Sequence, residues 1–376
     1  MNIIAVVGAR PNFIKIAPLI EAFKNYPEIK TTLIHTGQHY DYRMSTLFFQ
    51  ELEIPEPDIY LGVGAGTHGE QTAKIMLNLE PILIEKKPDL LIVVGDVNST
   101  LAASLTAAKL NIEIAHIEAG LRSFDRTMPE EINRILTDHL STLLFTTCEE
   151  ANENLRHEGI EEEKIHFVGN VMIDTLIKYK DEIAFEETVK RIGFPSLLNQ
   201  GEVKSYALLT LHRPKNVDRR EALTAILEAL AEIATEIPIL FPAHPRTLER
   251  IKEFQLNHLL VEGEGVENGV ILLPPLGYLD FVNLMKRASF VLTDSGGIQE
   301  ETTFLNIPCL TLRENTERRI TINLGTNTLV GQDKEKIIAE AERILKEGGK
   351  GGEVPPLWDG KASLRIARII AEKHRN

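Results

Sequence analysis

The sequence has almost no cysteine: two residues, Cys148 and Cys309, lie far apart and neither sits in a Cys-x-x-Cys. That pattern argues against a disulfide framework or a structural zinc site and fits a reducing compartment. A basic surplus is also missing, since 41 Lys and Arg stand against 55 Asp and Glu, a formal charge of −14. No nucleic-acid partner is therefore expected. A polyanionic small ligand stays open, because local cations can hold a phosphate within an acidic chain. Long hydrophobic runs are absent too. No segment approaches the roughly 18–20 apolar residues of a membrane span. The opening Met1–Gly8 has no basic flank and too short an apolar run for a signal peptide. A cytoplasmic protein with no membrane partner is the expectation. What is present is ordinary: 376 residues, 43% hydrophobic and 26% charged, enough at about 100–200 residues per domain for two or three domains.

Short apolar runs alternate with helical patterns. Ile3–Val7, Thr31–His35, Leu90–Val94 and Ile112–Ile117 read as buried strands, with a helix from Ser99 to Leu110. The segment 181–204, rich in Glu and Lys, reads as a largely helical connection without a clear strand. The pattern then restarts with strands Tyr206–Leu211, Pro238–Pro242, Gly269–Leu273, Phe290–Thr293 and Pro308–Leu312, and a helix Arg220–Thr235. Strands alternating with helices predict parallel sheets covered on both faces. The fold class is α/β, two doubly wound Rossmann-like domains facing a cleft. The first spans 1–170, with helix 362–376 packing back on it, and the second spans 171–361. Such sheets bind ligands beyond the carboxyl ends of their strands, so the residues just after strands matter most.

Asp294-Ser295-Gly296-Gly297 follows a strand and opens a helix. Glycines let backbone approach a ligand, and the free N–H groups of a helix start suit a diphosphate. Gly64-Ala65-Gly66-Thr67-His68-Gly69 matches G-x-G-x-x-G in form only. It does not follow the first strand of a βαβ unit, so it is read as a loop and not as a dinucleotide fingerprint. Arg10 and Lys15 follow the first strand and could bind phosphate. Among acids, Asp96 directly follows the strand Leu91–Gly95, Glu118 follows Ile112–Ile117, and Glu130 and Glu131 start a helix. Capping or ion pairing accounts for each acid singly; set together at strand ends they suggest acid–base work. His212 and His244 also follow strands. The His35/His39 spacing lacks the helix and the adjacent glutamate of a zinc protease, and no catalytic metal is expected.

Taken in order, several segments resemble the non-hydrolysing UDP-N-acetylglucosamine 2-epimerases. They are Gly8-Ala9-Arg10-Pro11-Asn12-Phe13-Ile14-Lys15, Gly95-Asp96-Val97-Asn98-Ser99-Thr100, His116-Ile117-Glu118-Ala119-Gly120-Leu121-Arg122, Pro129-Glu130-Glu131-Ile132-Asn133-Arg134, Leu211-His212-Arg213, Asp294–Glu301 and Glu314-Asn315-Thr316-Glu317-Arg318. The resemblance implies a GT-B type fold, a homodimer, and interconversion of UDP-N-acetylglucosamine and UDP-N-acetylmannosamine without hydrolysis and without NAD, metal or other cofactor. It implies anti elimination of UDP to 2-acetamidoglucal, then re-addition. Asp96, Glu118 and Glu130 match the essential carboxylates, with their acid and base roles unassigned, and His212 joins them. Arg10, Lys15, His212, Ser295, Gly296 and Gly297 would contact UDP, Glu301 the ribose, and Arg318 the sugar or diphosphate. The uracil would meet the stretch from Leu276 to Phe281. Gln38 and His39 resemble part of a second, activating site for the substrate in bacterial members. Asp41, the Gly64–Gly69 segment and Arg319 depart from the family pattern. Alternatives are a 2-epimerase of a modified sugar nucleotide such as UDP-2,3-diacetamido-glucuronic acid, a hydrolysing epimerase, a GT-B glycosyltransferase, and a non-enzymatic sensor.

Overall fold

A computed structural model describes residues 1–38, 49–199, 202–263 and 268–375. The chain divides into two compact units. One comprises Met1–Ile177 and Pro356–Asn376, the other Lys178–Pro355. The boundary falls within the helix Val171–Tyr179.

Among the described residues the first unit holds seven parallel strands: β1 (Asn2–Val7), β2 (Lys30–His35), β3 (Ile59–Tyr60), β4 (Leu90–Val94), β5 (Glu113–Ala119), β6 (Leu143–Thr146) and β7 (Ile165–Phe167). Their order is β3-β2-β1-β4-β5-β6-β7, and β1 pairs on one side with β2 and on the other with β4. Both faces are covered, so β4 is buried along its whole length and shows no period-2 alternation. On one face Ile4, Val6, Leu91, Val93 and Ile114 pack against Leu79 and Leu83 of the helix His68–Lys86 and Ala103 and Ala107 of the helix Asn98–Lys109. The small alanines let that second helix sit close. The chain end returns to this unit. Asp174 accepts the N–H groups of Ala362 and Ser363, the unpaired donors that open the last helix, Ala362–Arg375. Trp358 is buried and donates its indole N–H to Thr147 O at 2.9 Å.

The second unit begins with the helix Phe185–Arg191 and a two-residue antiparallel ladder, β8 (Leu198–Asn199) with β9 (Glu202–Val203). The expectation of no strand in 181–204 is corrected by this ladder, too short to leave a periodic signal. The main sheet comprises β10 (Ala207–Thr210), β11 (Ile239–Pro242), β12 (Val270–Leu273), β13 (Phe290–Thr293), β14 (Cys309–Thr311) and β15 (Asn327–Leu329). All its pairs are parallel and its order is β12-β11-β10-β13-β14-β15. Ala207, Leu209, Phe241, Phe290 and Leu292 meet Leu223, Leu227 and Leu230 of the helix Arg220–Ile233 and Ile337 and Ile344 of the helix Lys334–Glu347. Each fully buried aliphatic side chain contributes roughly 1.5–3 kcal/mol.

In each unit the strand order reverses beside the first strand, between β1 and β4 and between β10 and β13. At such a switch point adjacent crossovers leave in opposite directions and open a crevice at the strand ends. Among the described residues, no helix is long and apolar enough to cross a membrane.

Candidate active site

In the first unit the chain after β1 is shaped by close packing. A Cβ on Gly8 would lie 2.0 Å from Ser99 Oγ, so only glycine fits. Asn12 Oδ1 accepts the N–H groups of Gly8 and Ala9, each at 3.1 Å, and its Nδ2 donates to Val94 O at 2.9 Å. One side chain therefore ties the end of β1 to the end of β4. The helix Arg10–Phe23 starts here, with Pro11 preorganising its first turn. Arg10 opens it, half-buried. Lys15, one turn on, is buried and ion-paired with Glu118, itself buried.

Glu118 was expected just after its strand. It lies within β5 instead, where the register shifts between Ile117 and Ala119. Its φ is +73°, a left-handed conformation costing of order 1–3 kcal/mol for a side chain like this. A bulge re-aims a side chain, and this one directs the carboxylate to Lys15. Gly95, φ +68°, passes beside the pair, and a Cβ there would stand 3.2 Å from Lys15 Nζ and 3.3 Å from Glu118 Oε2. Asp96 follows β4 as expected and pairs with Arg134 at 3.1 Å. Asn133 Nδ2 donates to Asp96 O at 2.8 Å.

Glu130 and Glu131 open the helix Pro129–Leu140. Glu131 is buried and accepts from the N–H groups of Ser123 and Phe124 and the Ser123 hydroxyl at 2.8–3.0 Å. It holds the loop after β5. Glu130 is partly exposed and has no hydrogen-bond or ion-pair partner among the described residues. Sequence spacing places it one position from the anchor, and the structure separates the two environments.

Gln38 is also committed. Its Oε1 accepts from Ser99 N at 2.9 Å and Ser99 Oγ at 2.7 Å, which caps the helix Asn98–Lys109 in place of Val97, whose side chain cannot. His39 and Asp41 lie outside the described residues. The Gly64–Gly69 segment is not all loop. Thr67 caps the helix His68–Lys86 in a capping box with Glu70, so His68 and Gly69 are helical.

In the second unit Asp294 is the organiser, a residue the sequence reading passed over although it stands in the quoted motif. It is fully buried, and its carboxylate accepts the N–H of His212 at 3.0 Å and of Arg213 at 2.8 Å. The amide of Asn216 reaches it at 3.1 Å. His212 Nδ1 lies 3.0 Å from Asp294 Oδ1. Burial would raise the carboxyl's pKa, but His212 and these backbone donors outweigh it and hold it at about 2. The half-exposed imidazole is thereby oriented with Nε2 turned away from Asp294.

Ser295 occupies the N-cap of the helix Gly296–Leu305, with Gly296 and Gly297 in its first turn. Arginines crowd this helix start. A Cβ on Gly296 would stand 2.4 Å from Arg318 NH1. Arg318 pairs with Glu317 and, at 3.1 Å, with Glu300. Glu317 also takes Arg313 at 2.7 Å and Arg213 at 3.8 Å. Three guanidinium groups, of Arg213, Arg313 and Arg318, converge where the helix dipole is also positive. Such a place attracts an anion.

Glu301 is buried on the same helix and accepts from Tyr278 OH at 2.9 Å. Burial pushes its carboxyl up to about 8, against the Tyr278 hydrogen bond and with help from Glu300. Tyr278 starts the helix Tyr278–Met285. Leu276 lies in the loop before it, and the Phe281 N–H is committed to Gly277 O at 3.1 Å. Any backbone donor offered to a base from this stretch must come from ahead of Phe281. Among the described residues, no group of His, Cys, Asp and Glu could hold a metal ion.

Comparison with known proteins places this arrangement. A UDP-N-acetylglucosamine 2-epimerase of Methanocaldococcus jannaschii is 45% identical over 372 residues, covering 98% of this chain and 99% of the relative. A solved structure of that organism's UDP-GlcNAc 2-epimerase, in complex with UDP-GlcNAc and UDP, aligns with TM-score 0.90 at 43% identity, covering 99% of this chain and all of that one. A UDP-2,3-diacetamido-2,3-dideoxy-D-glucuronate 2-epimerase of Pseudomonas aeruginosa is 39% identical over 381 residues, 99% of this chain and 100% of the relative. The UDP-N-acetylglucosamine 2-epimerase family model matches residues 21–371. With two doubly wound parallel sheets of the GT-B type, the chain belongs to the UDP-N-acetylglucosamine 2-epimerase family.

Proposed function

We propose that this protein is a non-hydrolysing isomerase that interconverts UDP-N-acetylglucosamine and UDP-N-acetylmannosamine. The observation that carries the chemistry is the buried Lys15–Glu118 pair at a left-handed bulge beside Asp96. A surface acid has no need of such a conformation, whereas a carboxylate that must meet one proton does.

The C2 proton of the sugar is not acidic, as no carbonyl adjoins C2. Cleavage of the C1–O bond to UDP builds positive character at C1, and the C2–H bond then becomes labile. A carboxylate takes that proton, and the product pair is 2-acetamidoglucal and UDP. Return of a proton to the opposite face of C2, with UDP re-adding at C1, gives the epimer. Asp96, Glu118 and Glu130 are the carboxylates we assign to these proton movements. The leaving diphosphate is assigned to the arginine-lined start of the Gly296–Leu305 helix, with Ser295, Gly297, Arg318 and His212, and to Arg10 and Lys15. Preorganised donors of this kind stabilise the charge that develops on a leaving group. Glu301 is assigned to the ribose hydroxyls and the Leu276–Phe281 stretch to uracil. A homodimer and a cytoplasmic location complete the proposal. Leu77, Ile84, Ile132 and Leu136, exposed apolar residues of the first unit, support self-association.

The test is proton NMR of the protein with UDP-N-acetylglucosamine in deuterated water. Growth of the manno epimer carrying deuterium at C2 is expected, and a sugar left unchanged would refute the reading. The similarity to the Pseudomonas enzyme favours one second reading, a 2-epimerase of the diacetamido uronic acid sugar nucleotide. Turnover of that substrate in the same experiment, with none of UDP-N-acetylglucosamine, would select it.

A further inference from the structure

Beneath the carboxylates of the first unit lies a buried group to which the chemistry above gives no task. His116 on β5 and Asp138 on the Pro129–Leu140 helix are both 0% exposed. His116 Nε2 donates to Gly95 O at 2.8 Å, and Nδ1 to Asp138 Oδ1 at 2.6 Å. The second oxygen of Asp138 accepts the Gly120 N–H at 3.1 Å and Arg122 at 2.7 Å. Arg122 in turn forks onto Glu158, two bonds at 2.7 Å.

A buried ionic network is poor evidence for stability, since apolar side chains of equal volume often serve as well. Where its bonds end is more telling. Gly95 immediately precedes Asp96, and Gly120 lies two positions after Glu118. Both glycines are left-handed, with φ +68° and +79°. Gly95 also donates its own N–H to Ile117 O at 3.0 Å, so β5 holds it at both peptide groups. A Cβ on Gly120 would meet Ala151 O at 2.4 Å. Gly120 has no side chain of its own to anchor the turn; Asp138 fixes its N–H, and Asn154 Nδ2 donates to its carbonyl at 2.9 Å. Two hinges on either side of two assigned carboxylates thus meet in one imidazole–carboxylate pair.

We propose that His116 and Asp138 are positioning residues for the epimerisation: by clamping the Gly95 and Gly120 peptides they set the separation of the Asp96 and Glu118 carboxylates. This rests on the assignment of those carboxylates. Proton transfer tolerates little displacement, and an error of about 1 Å costs on the order of 100-fold in rate.

Two substitutions separate the clamp from mere packing. His116→Asn puts an amide nitrogen where Nδ1 stands and leaves Gly95 O unheld. His116→Gln puts one where Nε2 stands and keeps that bond. In His116→Asn kcat should fall about 100-fold while the UDP dissociation constant stays within about twofold, because the diphosphate is assigned mainly to the second unit. His116→Gln should recover most of that loss. Equal kcat in the two variants would overturn the clamp. If His116→Asn does not fold, Asp138→Ala, which removes the acceptor of the Gly120 N–H, is measured in its place, and parental kcat there overturns it equally. Glu118→Gln runs alongside. If it stays active, the carboxylate assignment falls and takes the clamp with it; if it is dead while the His116 variants turn over normally, the clamp alone falls.

Discussion

The two units share one strand order around their switch points and fill that place with opposite chemistry. Between β1 and β4 the first unit gathers Asp96, Glu118 and a buried lysine. Between β10 and β13 the second gathers an oriented histidine, two helical glycines and three arginines. The backbone supplies the same crevice twice, and the side chains decide whether it moves protons or holds an anion. The means of positioning differ as well. The carboxylate of the first unit is re-aimed by a bulge with a strained φ. The histidine of the second is fixed from below by Asp294, in ordinary backbone.

The contrast can be broken at four points, taken from the largest expected effect. Glu118→Gln should reduce kcat by roughly 10²–10⁴-fold, the usual worth of a general acid or base, and leave UDP affinity nearly unchanged. Parallel NMR turnover and calorimetric UDP titration check this, and a large loss of UDP affinity would blur the division of labour. Gly296→Ala should do the reverse. Its methyl group must displace Arg318, 2.4 Å away, and loss of charge-assisted contacts worth roughly 1.5–3 kcal/mol should weaken UDP binding about 10- to 100-fold. The helix start itself has room in its φ for alanine, so the fold should be kept, with the melting temperature lowered only by strain on the buried Arg318–Glu317 pair.

The third is a pH effect confined to the second unit. Glu301 has a carboxyl raised from its ordinary 4.5 to about 8. The folded state thus binds a proton more tightly than the unfolded chain. Its contribution is fully present below pH 4.5 and is lost as pH rises through about 8. Glu301→Gln should therefore gain on the parent as pH rises, by on the order of a few kcal/mol above pH 8. Melting curves at acidic and alkaline pH check this, and a gap that does not change with pH would refute it. The smallest is Thr67→Ala in the first unit. It removes the N-cap of the His68–Lys86 helix, should cost about 1 kcal/mol, and should leave kcat and UDP affinity alone. A kinetic effect there would show that this helix takes part in the site.

Much of this was legible in the sequence because buried parallel strands are short branched runs, as in Leu90-Leu91-Ile92-Val93-Val94. The acidic residues after such runs are equally visible. Other features leave no such mark. β7 (Ile165-His166-Phe167) and β15 (Asn327-Thr328-Leu329) interrupt their short runs with polar residues, so no apolar run stands out. The left-handed φ of Glu118 is imposed by β5 and β6 pairing out of register, a tertiary fact. Asp294 looks like one more polar residue of a glycine turn until His212, 82 positions earlier, is brought against it. Glu130 and Glu131 are adjacent letters, and only packing shows that one is a buried anchor and the other is partly exposed.

The anchor of the returning chain has a practical consequence. The protein has a single tryptophan, and Trp358 lies buried in the first unit with its indole N–H on Thr147 O. Tryptophan emission therefore reports on one half of the molecule only. The second unit, with none, is spectroscopically silent at that wavelength. Denaturation followed by tryptophan emission and by peptide circular dichroism should coincide if the halves melt together and diverge if they do not. Nature has in effect placed one optical probe on the half to which the proton chemistry is assigned.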